Sequence, residues 1–328
     1  MGQSCYVGKG LSLSHKENVT DEGSYKDEGV ETMEIQKHMR NKKRSLFLLF
    51  LLGPFCILHL VFTFIPAVYS FVLSFFKYRG YGEAKFVGLQ NYQNLLKMPA
   101  TWRQMENTMI YYITHLIPCL VIGFILAYAV YCMLGQRAQR VYKPIFYLPQ
   151  LMATVAASMV FGVIFGTNIG VVNQLLGTSI PFLTNQSYIK IPVIILIIWR
   201  TMGWYFLILL SGMSTVSTDL VEAARLDGAS RLQQIRYVVL PIMKPIISFL
   251  IITETMSSIK VYTEPALVTN NITATSMPIA AAPFVNVIVS NLEGGQFGMA
   301  SAAGWILFFV IMLFTLAYML IFNEKGGE

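Results

Sequence analysis

Six stretches of this chain, at 46–76, 107–133, 144–166, 188–212, 241–263 and 299–322, are each long and apolar enough to cross a bilayer. A spanning helix needs about 20 such residues. Lipid offers no partner to an unpaired backbone group, so the runs must be helical. The expectation is an all-α integral membrane protein with six transmembrane helices. Composition agrees: 55% of residues are hydrophobic and 12% charged, against about 25% charged in soluble domains. The first run follows Lys37, Arg40, Lys42, Lys43 and Arg44. A secretory signal peptide has the same order of charge and hydrophobe. This run is too long for one, and no small-residue cleavage site closes it. It reads as an uncleaved helix, bent or interrupted near Pro54 or Pro66.

Charge sets the expected orientation. Thirteen Lys and Arg residues flank the runs on the side holding 37–44, 134–143, 213–244 and Lys325, against six on the other. By the positive-inside rule both termini are then cytoplasmic. The formal net charge of +7 does not argue for nucleic acid, because the cations sit in short loops beside apolar runs. Residues 1–44 are polar, mixed in charge and without period, and are expected to be a disordered cytoplasmic tail. A start at Met33 is the expectation that N-terminal sequencing of the native protein tests. Cys5, Cys56, Cys119 and Cys132 show no CxxC spacing and read as packing residues. The four histidines are scattered, so no catalytic or metal-ligating set is expected.

The longest polar interruption in the middle of the chain is 219–245. Asp219 with Glu222 has capping-box spacing for a first helix. Asp227-Gly228 should stop it, because glycine adopts the left-handed conformation that ends helices. Ser230 with Gln233 repeats the capping spacing, and Pro241 marks the turn into the next run. Two short amphipathic helices at an angle suit docking more than catalysis. Glu222-Ala223-Ala224, then Gly228, then Val238-x-Leu240-Pro241 closely resembles the EAA motif of ABC importer permeases. The resemblance implies that this loop is a coupling helix seated in a cleft of a cytoplasmic ATPase. Glu222 would be the anchor, Asp227 and Gly228 would fix the bend, and Ala223 and Ala224 would permit close approach.

Further phrases resemble the carbohydrate-uptake, maltose-permease-like branch of that family. They are Phe86-Val87-Gly88-Leu89-Gln90-Asn91-Tyr92, Asn107-Thr108, Leu148-Pro149, Gly170 to Leu176, Trp199-Arg200 and Phe297 to Ala302. Asn91 is expected to cap a short interfacial helix, with Trp102 as its anchor. The implied fold is a type I ABC importer transmembrane domain at 107–323, with its coupling loop at 213–240. Before it stand a tail at 1–44 and a first transmembrane helix with an outer loop at 45–106.

Charges at membrane depth are costly and mark a pathway or a buried partner. Here they are Arg200, Glu254, Lys260 and Glu264. Ser258 to Pro265 lies where the branch has Lys-Val-Phe-Asp; Lys260 and Val261 match, Tyr262 replaces Phe, and Thr263 stands where Asp is usual. Aromatic faces stack on sugar rings and carboxylates bond their hydroxyls, which adds Tyr262, Trp305 and Tyr205 to the candidates. Two cations are few for a phosphate ligand, so a neutral sugar is favoured over glycerol phosphate, with an acidic saccharide as an open alternative.

The resemblance implies a second permease subunit, two ATPase subunits, an extracytoplasmic solute-binding protein and a bacterial or archaeal cytoplasmic membrane. No Walker phosphate loop GxxxxGK[ST] occurs, so ATP and Mg are expected on partner subunits and no cofactor on this chain. The rival from another class is an ion-coupled secondary transporter, which often carries inverted repeats; no repeat is visible.

Overall fold

The computed structural model describes residues 50–271 and 273–322; for 132–136, 138, 321 and 322 it describes the backbone alone. The expectations for the tail at 1–44, for Met33 and for Lys325 lie outside the described residues. The chain divides into two compact units, Met1–Ala67 and Val68–Glu328.

The described part of the first unit is helical and belongs to α1, Phe50–Leu73. Its interruption is a widened turn at Leu60–Phe64, immediately before Pro66. Proline lacks an N–H and its ring clashes with the carbonyl four residues back, so the preceding turn opens. Pro54 leaves no comparable break.

The second unit takes up the chain at Val68. A short antiparallel pair, β1 (Phe76–Lys77) and β2 (Lys85–Phe86), follows α1. Helix α2 is Gln90–Lys97 and α3 is Pro99–Tyr131. Then come α4 (Gly135–Leu151), α5 (Thr154–Ile164), α6 (Val171–Leu176) and α7 (Lys190–Met213). Helix α8 is Thr218–Leu226 and α9 is Arg231–Ser258. Helices α10 (Thr263–Val268), α11 (Val285–Glu293) and α12 (Phe297–Phe322) close the described chain.

Among the described residues, five helices can cross a membrane by length and composition: α1, α3, α7, α9 and α12. The third expected span, 144–166, is not one helix. It is the end of α4 followed by α5, bent by 88°. Counted as one broken span, this pair makes six. The helix runs through Pro144 and Pro149 and breaks only beyond Leu151, at Met152 and Ala153. The span expected at 241–263 begins at Arg231 instead, running through a widened turn at Ile235–Val239. Pro241 therefore lies within the helix and does not mark a turn.

Helix α7 is the hub. Leu196, Tyr205, Phe206, Leu209 and Leu210 are buried along it, and α3, α4 and α9 pack on it through one core. Gly203 allows α4 to touch its backbone: a Cβ there would collide with the Phe146 carbonyl oxygen. Gly203→Ala is expected to cost about 1–3 kcal/mol through overpacking. Thermal unfolding in detergent checks this; an unchanged midpoint would count against the close approach.

Several motif residues turn out to be fasteners. Asn91 does not cap α2, whose first turn follows Leu89 without a side-chain cap. Its amide donates to the Ser74 carbonyl at 2.8 Å and the Phe76 carbonyl at 2.9 Å. Asn107 donates to the Ile279 and Ala282 carbonyls at 2.7 and 2.8 Å, and Thr108 accepts the Phe284 N–H at 2.7 Å. The start of α3 thereby holds the loop before α11. Asn173 donates to the Gly166, Thr167 and Ile180 carbonyls and accepts from Ile180 N–H at 3.0 Å, closing the loop around α6.

Glu293, at the end of α11, accepts the Ala274 N–H at 3.0 Å, the Thr275 N–H at 3.3 Å and the Thr275 hydroxyl at 3.1 Å. The Ala274 N–H chiefly holds its carboxyl below the ordinary value of 4.5. A carboxyl depressed in the folded state stabilises above its ordinary value and loses that contribution as pH falls through the depressed one. Acidification below 4.5 is therefore expected to speed hydrogen exchange at Ala274 and Thr275 beyond the trend of nearby amides. Glu293→Gln should remove that step; persistence of the step in the variant would refute the assignment.

Candidate functional site

Two regions concentrate chemistry. The first is the elbow between α7 and α9. Ser217 caps α8 by accepting the Asp219 N–H at 3.2 Å. The cap therefore stands two residues before the one expected at Asp219, because a serine hydroxyl was available upstream to take the free N–H. The stop is where the sequence put it: α8 ends at Leu226, Asp227 N–H bonds the Ala223 carbonyl, and Gly228 has φ +83°. Ser230 and Gln233 form the expected capping box. Glu222, Ala223, Asp227, Gly228 and Pro241 are exposed, and Ala224 is half-buried.

The elbow is anchored on one side only. Val216 and Val239 are buried in the main core, and Val221 packs against it. Gln234 is buried and donates to the Ala229 carbonyl at 2.8 Å. On the other side Leu226 is 89% exposed, with Leu220, Leu232 and Tyr237 also uncovered. Apolar side chains held out by a rigid, capped frame make a surface suited to another protein.

The second region is a cavity of about 240 Å³ among α3, the α4–α5 break, α7 and the end of α9. Its wall includes His115, Gln150, Thr201, Trp204, Glu254 and Lys260. His115 Nε2 lies 2.6 Å from Thr201 Oγ1, and Nδ1 lies 2.8 Å from Ser258 Oγ. Thr201 donates its own proton to the Ile197 carbonyl at 2.7 Å. That leaves Thr201 to accept from Nε2–H, with Ser258 donating to Nδ1, a neutral imidazole joining three helices. Glu254 Oε2 stands 4.0 Å from Nδ1. The Tyr205 hydroxyl is buried beside the Glu254 carboxyl. Gln150 Oε1 is buried with no hydrogen-bond partner among the described residues, and Gln150 belongs to the cavity wall.

The structure sorts the candidates from the sequence. Glu254, Lys260, Tyr262 and Glu264 line the cavity. Arg200 stands behind it and donates from Nη1 to Glu264 Oε1 at 2.8 Å, with the side chains 12% and 19% exposed. Tyr205 is core, its ring edge-on to His115 at 5.9 Å. Trp305 lies elsewhere, among Phe71, Phe308 and Phe309. Outside the spans, burial raises the Tyr262 phenol, and the Glu293 carboxylate adds to the effect.

His115, Gln150, Thr201, Trp204, Ser257 and Ser258 were not singled out from sequence. A signal existed. Tyr111, His115 and Cys119 are spaced by four, as are Thr201 with Tyr205 and Glu254 with Ser258. Polar groups at that spacing share one face of a helix.

The profile of the family described as binding-protein-dependent transport system inner membrane component matches residues 108–323. The chain belongs to that family. Among its relatives is the probable ABC transporter permease protein YesP of Bacillus subtilis (strain 168), 29% identical over 88% of this chain and 93% of that one. Another is the polygalacturonan/rhamnogalacturonan transport system permease protein YteP of the same strain, 28% identical over 80% and 83%. In fold the chain is similar to the crystal structure of a bacterial alginate ABC transporter in complex with its alginate pentasaccharide-bound periplasmic protein. The TM-score is 0.74 at 22% identity, covering 88% of this chain and 99% of that one.

Proposed function

We propose that the chain is one permease subunit of an ATP-driven, binding-protein-dependent importer that moves a sugar or oligosaccharide across the cytoplasmic membrane of a bacterium or archaeon. The observation that carries this reading is the cavity. Hydroxyls, two carboxyls, the Gln150 amide and the aromatic side chains Trp204 and Tyr262 line it within otherwise apolar spans. Sugars present hydroxyls at their edges and C–H surfaces on their faces, so this lining complements them. The relative YteP, named for transport of galacturonans, supports the same class.

In this reading a second permease completes the path, and two ATPase subunits bind Mg and ATP. The elbow at 217–241 seats in an ATPase cleft with Glu222 as anchor, so that closure of the ATPases rotates α8 and, through the continuous α9, the cavity wall. Glu254 and Gln150 bond ligand hydroxyls, Tyr262 lies against a ring, and His115 holds α3, α7 and α9 in register. Both termini lie in the cytoplasm, and an extracytoplasmic binding protein delivers the ligand.

The deciding experiment is purification of the chain from its native membrane in mild detergent, mass spectrometry of what accompanies it, and reconstitution in liposomes. ATPase, second permease and saccharide uptake that requires ATP are expected. A chain that emerges alone and moves solute on an ion gradient without ATP would overturn the reading.

A further inference from the structure

A second cavity, of about 260 Å³, lies between the segment after α1 and the start of α12, away from the solute cavity. Lys77, Arg79, Gln90, Asn94 and Gln296 are on its wall, and no carboxylate is. Neither the Lys77 ammonium nor the Arg79 guanidinium has an ion-pair or hydrogen-bond partner among the described residues. Two unpaired cations facing amide groups make a site for an anion.

Its place in the fold narrows the choice of anion. Lys77 follows within four residues of Leu73, where α1 ends, so the cations stand at the membrane edge whichever leaflet that is. Exposed apolar side chains neighbour it along the chain: Phe86 and Leu89 adjoin the lining Val87 and Gln90, and Leu96 and Trp102 follow on α2 and α3. Trp102 is held there by its indole N–H, which donates to the Leu96 carbonyl at 2.8 Å. Aromatic side chains of this kind gather at the interface between headgroups and acyl chains. The floor is rigid, because Asn91 ties Ser74 and Phe76 together and β1 pairs with β2. A cationic pocket at the membrane edge with exposed apolar side chains beside it in the chain fits an amphiphile better than a soluble ion, which would use the cations alone.

We propose that this cavity binds the phosphodiester headgroup of an anionic phospholipid. Arg79 offers the planar fork that matches two phosphate oxygens, Lys77 supplies a point charge, and Asn94 and Gln296 donate to the remaining oxygens. The acyl chains pass over Phe86 and Leu89 into the bilayer.

The test uses the full chain with whatever subunits it retains, washed free of lipid in detergent and titrated with phosphatidylglycerol, phosphatidylcholine or inorganic phosphate. Native mass spectrometry counts the bound molecules. Retention of phosphatidylglycerol over phosphatidylcholine is expected, undisturbed by inorganic phosphate at equal concentration. The double variant Lys77→Gln/Arg79→Gln should bind phosphatidylglycerol roughly 30-fold more weakly, from about 1 kcal/mol per basic residue. Asn94→Asp, which puts a carboxylate on the wall at an exposed position, should weaken it as well and decides the matter if the double variant does not fold. Equal retention of the two lipids, unchanged binding in the folded variants, or displacement by inorganic phosphate would each overturn the proposal.

Discussion

Glu222→Lys is expected to abolish ATP-driven uptake while leaving the subunit inserted and assembled with its second permease. Glu222 is exposed on α8 and has no ion-pair partner among the described residues, so the fold does not need it. A charge reversal at an anchor buried in a partner's cleft leaves an unpaired charge, with a cost of several kcal/mol in docking. Gly228→Pro tests the frame in place of the anchor. Gly228 sits at φ +83°, and proline is confined to about −65°. The bend between α8 and α9 must then change, and the exposed Leu226 and Leu232 no longer present one surface. Uptake in proteoliposomes, together with co-purification of the ATPase, reads both effects. Full transport by both variants would remove the coupling assignment.

The second large effect is expected at Arg200 and Glu264. Their pair is mostly buried, and removing one partner strands the other charge, at about 3–5 kcal/mol. Arg200→Leu and Glu264→Leu should each lower the unfolding temperature of the purified protein steeply. The double variant should recover most of that loss, because replacing both members of a buried pair by apolar groups is often neutral. The pair ties α7 to α10, immediately after the cavity-lining Lys260 and Tyr262. Additive losses in the double variant would show that the two side chains do not act together.

Much of this was legible in order along the chain. Apolar length marks spans because the bilayer has a fixed thickness and satisfies no backbone group. The stop at Gly228 and the capping box at Ser230 and Gln233 were readable because caps are local, made by residues within four positions of one another. The misreadings were also local in cause. Ser217 took the cap expected at Asp219 because its hydroxyl, two residues earlier, reaches the Asp219 N–H. Pro241 was taken for a boundary, yet proline is tolerated near a widened turn, and α9 runs through it.

The cavity among α3, α7 and α9 was legible only in part. Glu254, Lys260, Tyr262 and Glu264 stood out because charge and aromaticity late in a span are conspicuous, and they line it. Trp305 stood out equally and packs instead among aromatic neighbours, because which face of α12 meets which helix is not written in α12 itself. His115, Thr201 and Ser258 are 86 and 57 residues apart along the chain, yet they form one hydrogen-bonded cluster. The sequence by itself determined the number of apolar segments, the exposed elbow with its caps and the family of the chain, since each depends on neighbours a few residues away. The tertiary structure alone decided the 88° break in the third span, the pairing of Arg200 with Glu264 and the membership of both cavities. Those depend on helix rotation and close approach, which are set by side chains packing across the bundle at positions such as Gly203.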